Sequence, residues 1–166
     1  MSESEIKNQK SKMPLDIYDE LHNLLGALQG DGVSYALCGG LAVAVYGIVR
    51  ATEDIDLLIE EASLGKVRAV AEGLGFRFGP KPLVFKRGRI KIYRLVKIAG
   101  EDLLKLDLLL VTPSTQLAWD SRRTMRTELG RLQVVSPAGL IHLKSLRRSG
   151  QDEDDIRKLK ELPDET

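Results

Sequence analysis

Asp54 and Asp56 stand one residue apart at the head of an apolar run, and a third acid, Asp107, sits in another. Positions i and i+2 of a strand share a face, so Asp54 and Asp56 are expected to project side by side with Ile55 behind them. Two adjacent carboxylates repel each other unless something positive lies between them. A hard divalent cation meets that need. Mg²⁺ takes oxygen ligands and leaves coordination places for substrate phosphates, and Mn²⁺ is the natural substitute. Asp107 is the only acid in the run 103–111, Leu-Leu-Lys-Leu-Asp-Leu-Leu-Leu-Val. A lone buried carboxylate is costly unless paired or bound to a metal. Placed beside the Asp54 strand, Asp107 completes a cluster able to hold two ions, the arrangement that assists in-line phosphoryl displacement. Upstream, Gly39-Gly40 interrupts the apolar stretch that begins at Tyr35. A glycine turn feeding a helix N-terminus presents N–H groups to phosphate. Together these residues predict a metal–phosphate site.

The elements that must position them follow from periodicity and punctuation. Leu15, Tyr18, Leu21, Leu24, Leu25 and Leu28 recur at helical spacing over 15–29, and Gly30-Asp31-Gly32 stops that helix. A strand at 34–38 leads to the Gly-Gly helix at 40–47, and a second strand covers 54–60. Ser63 is the expected N-cap of a helix that Gly75 ends. Residues 83–86 and 89–98 read as a hairpin across Arg87-Gly88. The strand at 103–111 precedes a helical stretch after Thr112-Pro113-Ser114. A short strand at 132–135 and helices at 137–148 and 153–161 close the chain. The alternation predicts an α/β (α+β) fold with a mixed sheet flanked by helices, as one domain over 14–166. Residues 1–13 are polar and rich in Ser, Lys and Glu, and are expected to be a disordered tail.

A strand ending in Gly39-Gly40, a short helix, then Asp54-Ile55-Asp56 and a later strand acid, Asp107, resembles the DNA polymerase beta-type nucleotidyltransferase superfamily. The small single-domain members match best, including the minimal enzymes and those of bacterial toxin–antitoxin and abortive-infection systems. The matching positions fall within residues 33–60, 103–111 and 134–156. The resemblance implies a nucleotidyltransferase core and a nucleoside triphosphate as substrate. It implies Asp54 and Asp56 as metal ligands and Asp107 as base or third ligand. Gly39 and Gly40 would hold the triphosphate. Arg50 and Thr52 match positions that face the nucleotide, and Lys144 one that contacts phosphate. Two positions depart from the pattern: Gly40 stands where many relatives carry serine, and Gln151 where many carry lysine.

Each residue also has a plainer reading. Asp54 and Asp56 could pair with Arg50, and Asp107 with Lys105 or Arg94. Gly39-Gly40 could be only a tight turn. Arg50 and Thr52 could serve the loop. Lys144 could be a solvated helix residue with Arg148 on its face. Cys38 reads as a small buried hydrophobe, and His22 and His142 as partly buried structural residues. Trp119 and Tyr93 read as packing residues. The acids of 152–155 read as an exposed run opening a solvated helix.

The 166 residues suffice to bury about two-thirds of their unfolded surface. A net charge of +1 selects no nucleic-acid partner by itself. Arg122, Arg123, Arg126 and Arg131 form one basic cluster, and Lys81, Lys86, Arg87, Arg89 and Lys91 another. These would be the faces for an RNA acceptor; a protein or a small molecule is the other class of acceptor. The single cysteine excludes an intramolecular disulfide, and no apolar run reaches transmembrane length. The expectation is a cytoplasmic enzyme with no membrane partner. The alternative is a binding module of the same fold, acting on nucleotide without turnover or through a protein partner such as an antitoxin.

Overall fold

The computed structural model describes residues 15–49, 51–79, 82–85, 89–147 and 150–163. The expected tail, Arg50, Arg148 and much of the second basic cluster lie outside the described residues.

Helix α1, Ile17–Gly30, opens on Asp16, whose side chain accepts from the backbone N–H groups of Tyr18 and Asp19. It buries Leu21, Leu24, Leu25 and Leu28 on one stripe, each contributing about 1.5–3 kcal/mol by its removal from water. Strand β1, Ala36–Cys38, runs directly into helix α2, Gly39–Val45. Strand β2, Asp54–Ile59, is followed by a 3₁₀ turn and helix α3, Leu64–Gly73. Ser63 stands at the N-cap position, as expected, but as the last residue of the 3₁₀ turn it makes no capping bond through its side chain. Strands β3 (Arg77–Phe78), β4 (Leu83–Phe85), β5 (Ile90–Ala99) and β6 (Asp102–Leu110) come next. Helix α4 (Gln116–Asp120), strands β7 (Arg123–Thr127) and β8 (Gly130–Val134), and helices α5 (Pro137–Arg147) and α6 (Gly150–Lys160) complete the order.

The strands form one mixed sheet in the order β3-β5-β6-β2-β1-β8-β7, with β4 added on β5. β2 and β6 are parallel, β1 is antiparallel to β2, and β8 is parallel to β1. The central strands are apolar almost throughout because both faces are covered. On one face, α1 and α3 pack over the sheet. Glu20 of α1 takes both its carboxylate oxygens to the Lys97 ammonium, each at 2.9 Å, and Arg68 of α3 lies 4.2 Å over the Phe78 ring. The pleat sends the alternate residues of β2, β5 and β6 to the opposite face, and there the acids gather.

The fold agrees with the expected mixed sheet and adds two strands, β3 and β7. β5 has three partners: it pairs with β4, as expected, with β3, and over Ile92–Ala99 with β6. The Arg122–Arg131 cluster is not a uniform basic face. Arg122 stacks 3.6 Å over Trp119 and donates to its carbonyl. Arg123, Arg126 and Arg131 stand exposed on the β7–β8 hairpin. His142 is partly buried, 2.7 Å from the Ser114 carbonyl, whereas His22 is exposed, its Nδ1 3.4 Å from the Leu129 carbonyl. Among the described residues no helix is long and apolar enough to cross a membrane.

Candidate active site

Register fixes the site. Cys38 on β1 pairs with Asp56 on β2, Asp56 with Asp107 on β6, and Asp107 with Arg94 on β5. The four side chains therefore form one row across the sheet on the face away from α1 and α3. Asp54 lies one pleat along the same face, opposite Lys105. The side-by-side projection of Asp54 and Asp56, with Ile55 fully buried behind them, follows from that register.

The glycine turn is built against this row. Gly39 has a φ of +66°, in the left-handed region where a side chain is strained. A Cβ at Gly39 would lie 2.6 Å from Cγ and 2.8 Å from Cβ of Asp56 and would overlap its carboxylate. The backbone at Gly39 thus touches Asp56 at a distance only glycine permits. Gly40 is buried in the first turn of α2.

Above the row opens a cavity of about 430 Å³, within the range of small-ligand sites. Gly39, Gly40 and Thr52 line one side, Asp54, Asp56 and Asp107 the sheet, and Lys144 the wall formed by α5. Seven of the eight residues singled out by sequence meet there; the eighth, Arg50, lies outside the described residues. Arg94 and Asp152 line it as well.

Asp107 is 4% exposed, and the plainer reading of its partner holds. Arg94 donates from Nε to one carboxylate oxygen at 2.8 Å and from Nη2 to the other at 2.9 Å, a bidentate pair. Those hydrogen bonds raise the Arg94 pKa above its ordinary value. Partial desolvation opposes them, and the charges of Asp107, Asp54 and Asp56 add to the rise. Asp54 and Asp56 therefore lie within the electrostatic reach of the same guanidinium.

Lys144 is not a solvated residue. It is buried, with its ammonium 3.0 Å from Asp155 and 3.6 Å from Asp152 on α6. Both acids are 3% exposed. The expectation of a wholly solvated acidic run is corrected accordingly. Asp152 and Asp155 recur at helical spacing and turn inward to Lys144, while Asp154 pairs with Arg157 at the surface.

Among the described residues no three of His, Cys, Asp and Glu gather closely enough to hold a metal ion by themselves. Mg²⁺ does not need three, because one or two carboxylates plus substrate phosphates are its usual protein set. Asp54 and Asp56 have the chemistry to supply such a pair, beside a glycine turn whose backbone takes the place a side chain would fill. The donor set fits a divalent ion that would take its remaining oxygens from phosphate, while both oxygens of Asp107 accept from Arg94.

Sequence named Arg94 only as an alternative partner and did not place Asp152 at the site. The signal for Arg94 is the two-residue turn Gly100-Glu101. Pairing across it joins Ala99 to Asp102 and, five residues further along each strand, Arg94 to Asp107.

No protein-family model matches the chain, and no curated protein sequence does. Solved structures do. A lincosamide antibiotic adenylyltransferase, LnuA, crystallised with lincomycin, superposes with a TM-score of 0.64 at 19% identity over 87% of this chain and 97% of that one. The ANT(2″)-Ia enzyme in complex with adenylyl-2″-tobramycin gives 0.62 at 16% identity, covering 86% of each chain. A Thermotoga maritima protein described as a nucleotidyltransferase gives 0.53 at 17%, over 98% of this chain and 97% of that one. Likeness at such identity establishes the fold, which this chain shares with these nucleotidyltransferases.

Proposed function

We propose that this chain, built on the nucleotidyltransferase fold, transfers a nucleoside monophosphate from a nucleoside triphosphate to a hydroxyl acceptor. The observation that carries the reading is the row Cys38–Asp56–Asp107–Arg94 with Gly39 seated against Asp56. Asp54 and Asp56 are assigned as the pair that holds Mg²⁺ or Mn²⁺. The ion, when bound, neutralises charge on phosphate oxygens. The backbone of Gly39 and Gly40 receives the triphosphate, and Thr52 faces it from the loop before β2. Lys144, held by Asp152 and Asp155 at the cavity wall, supplies a fixed positive charge that needs no reorganisation as the reaction proceeds.

The transfer is an in-line displacement. The acceptor oxygen bonds to the α-phosphorus, the bond from that phosphorus to the bridging oxygen breaks, and pyrophosphate leaves with the electron pair. The hydroxyl proton passes to Asp107. Positioning supplies most of the acceleration.

The acceptor we assign is a small hydroxyl-bearing molecule. Arg94 and Lys144 are the cations among the described charged residues of the cavity, against Glu53, Asp54, Asp56, Asp107 and Asp152, so beyond the nucleotide site little positive charge is left for a polynucleotide backbone. The neighbours LnuA and ANT(2″)-Ia, seen with lincomycin and with an adenylylated tobramycin, are precedents for such acceptors on this fold. A second reading, nucleotide binding without turnover, is favoured by the Arg94 clasp on Asp107 and by the absence of a hydroxyl at Gly40.

The test is transfer of label from α-³²P nucleoside triphosphates to lincosamides, aminoglycosides and RNA, with pyrophosphate release measured alongside. Labelled small-molecule product from the wild type, lost in Asp56→Asn, supports the reading. Nucleotide binding with no transfer to any acceptor supports the second one.

A further inference from the structure

Both oxygens of Asp107 are occupied by one guanidinium. The Asp107 side chain is 6% exposed and that of Arg94 41%, so Arg94 lies on the solvent side of the pair and covers the carboxylate. Arg94 also lines the cavity that Gly39 and Gly40 line. A guanidinium fork matches phosphate as well as carboxylate geometry. A triphosphate seated at the glycine turn therefore offers Arg94 a second bidentate partner within the same cavity.

Resting on the function proposed above, we propose that Arg94 is a positioning residue that masks Asp107 in the free chain. The triphosphate draws it away, so the third carboxylate becomes available only once nucleotide is in place. Nucleotide binding and the availability of Asp107 are then coupled, and such coupling is reciprocal. Whatever releases Asp107 favours nucleotide, and nucleotide favours release. The clasp also explains why three acids share one face of the sheet without a gathered three-acid site. In the free chain one of them is neutralised by the cation that later serves the phosphate.

The coupling is read without any acceptor, by titrating the full-length chain with Mn²⁺ alone and following free Mn²⁺ by electron paramagnetic resonance. Arg94→Gln exposes Asp107 and is expected to tighten Mn²⁺ binding in the absence of nucleotide by about tenfold, the scale on which ligand partners alter metal affinity. The gain disappears when Asp107→Asn is added. Arg94→Lys, whose single ammonium cannot cover both oxygens, gives a smaller gain in the same direction and serves if Arg94→Gln does not fold. Unchanged Mn²⁺ affinity in both variants, with the wild type still binding nucleotide together with Mn²⁺, overturns the masking role and leaves the proposed function standing. A wild type that binds no nucleoside triphosphate with Mn²⁺ overturns the proposed function, and the masking role with it.

Discussion

Replacing Gly39 with alanine separates backbone strain from damage to the site. Two costs are expected. A side chain in the left-handed conformation costs about 1–2 kcal/mol, and Gly39 has a φ of +66°. The second cost is contact: the new Cβ would sit 2.6 Å from Asp56 Cγ, whereas carbon atoms rest at about 3.5–4.0 Å. The carboxylate must retreat by about 1 Å. Displacement on that scale at a reacting centre costs about a hundredfold in rate, while for a chain this size 1–2 kcal/mol lowers the unfolding midpoint by about 2–8 °C. Gly130→Ala is the control, because Gly130 has a φ of +99° with nothing near its Cβ position. It should show the midpoint loss alone. The assay is thermal unfolding together with nucleotide affinity and transfer rate for both variants. A Gly39→Ala protein that loses only as much as Gly130→Ala, with affinity and rate intact, refutes the claim that Gly39 is there to let Asp56 approach.

Three further outcomes follow from the packing. Gly26 lies exposed inside α1 with open space at its Cβ position, so Gly26→Ala should stabilise by about 0.5–1 kcal/mol, read as a raised urea midpoint. Lys144→Met leaves Asp152 and Asp155 buried without their ammonium and should cost about 3–5 kcal/mol in urea unfolding; a loss below about 0.5 kcal/mol would mean a surface lysine. Burial raises the pKa of Tyr46 above 10.0, opposed by the charge of Arg123. The folded state therefore holds that proton more firmly than the unfolded chain. The corresponding stability is complete below the unfolded pKa and is lost as pH rises from about 10 through the folded value. Tyr46→Phe removes the hydrogen bond to the Val135 carbonyl, about 1 kcal/mol at pH 7. It should also show a shallower fall in urea midpoint between pH 9 and 11, and an unchanged fall would count against the assignment.

The sheet and the acid row were legible in the sequence because both depend on short-range rules. The pleat sets Asp54 beside Asp56, the helical period sets the leucine stripe of α1, and a lone acid among leucines marks Asp107. Both strands that escaped lie at the edges of the sheet. Arg77–Phe78 is two residues long, and Arg123–Thr127 leaves its arginines and Thr124 exposed. Edge strands of this kind carry charge in place of an apolar alternation, so composition reads them as basic surface. The partners of Asp107 and Lys144 were less visible for a different reason. Arg94 meets Asp107 only through the full register of β5 on β6. Asp152 and Asp155 meet Lys144 only when α6 folds back on α5. The first pairing is marked only by the turn Gly100-Glu101, at a distance from both partners; the second has no local signature, because an acidic run looks the same in solvent as against a buried lysine.

The central claim is that the row around Asp56 binds a nucleoside triphosphate with a divalent ion. Thermal unfolding of the wild type and Asp56→Asn, with each nucleoside triphosphate and with or without Mg²⁺ or Mn²⁺, tests it without knowledge of the acceptor. A ligand at a hundred times its dissociation constant adds about 2.7 kcal/mol, and each kcal/mol moves the midpoint by about 2–4 °C. The account predicts a metal-dependent rise of several degrees with at least one nucleotide, absent in Asp56→Asn, whose midpoint without ligand stays close to wild type. No rise with any nucleotide, or the same rise in both proteins, would contradict it.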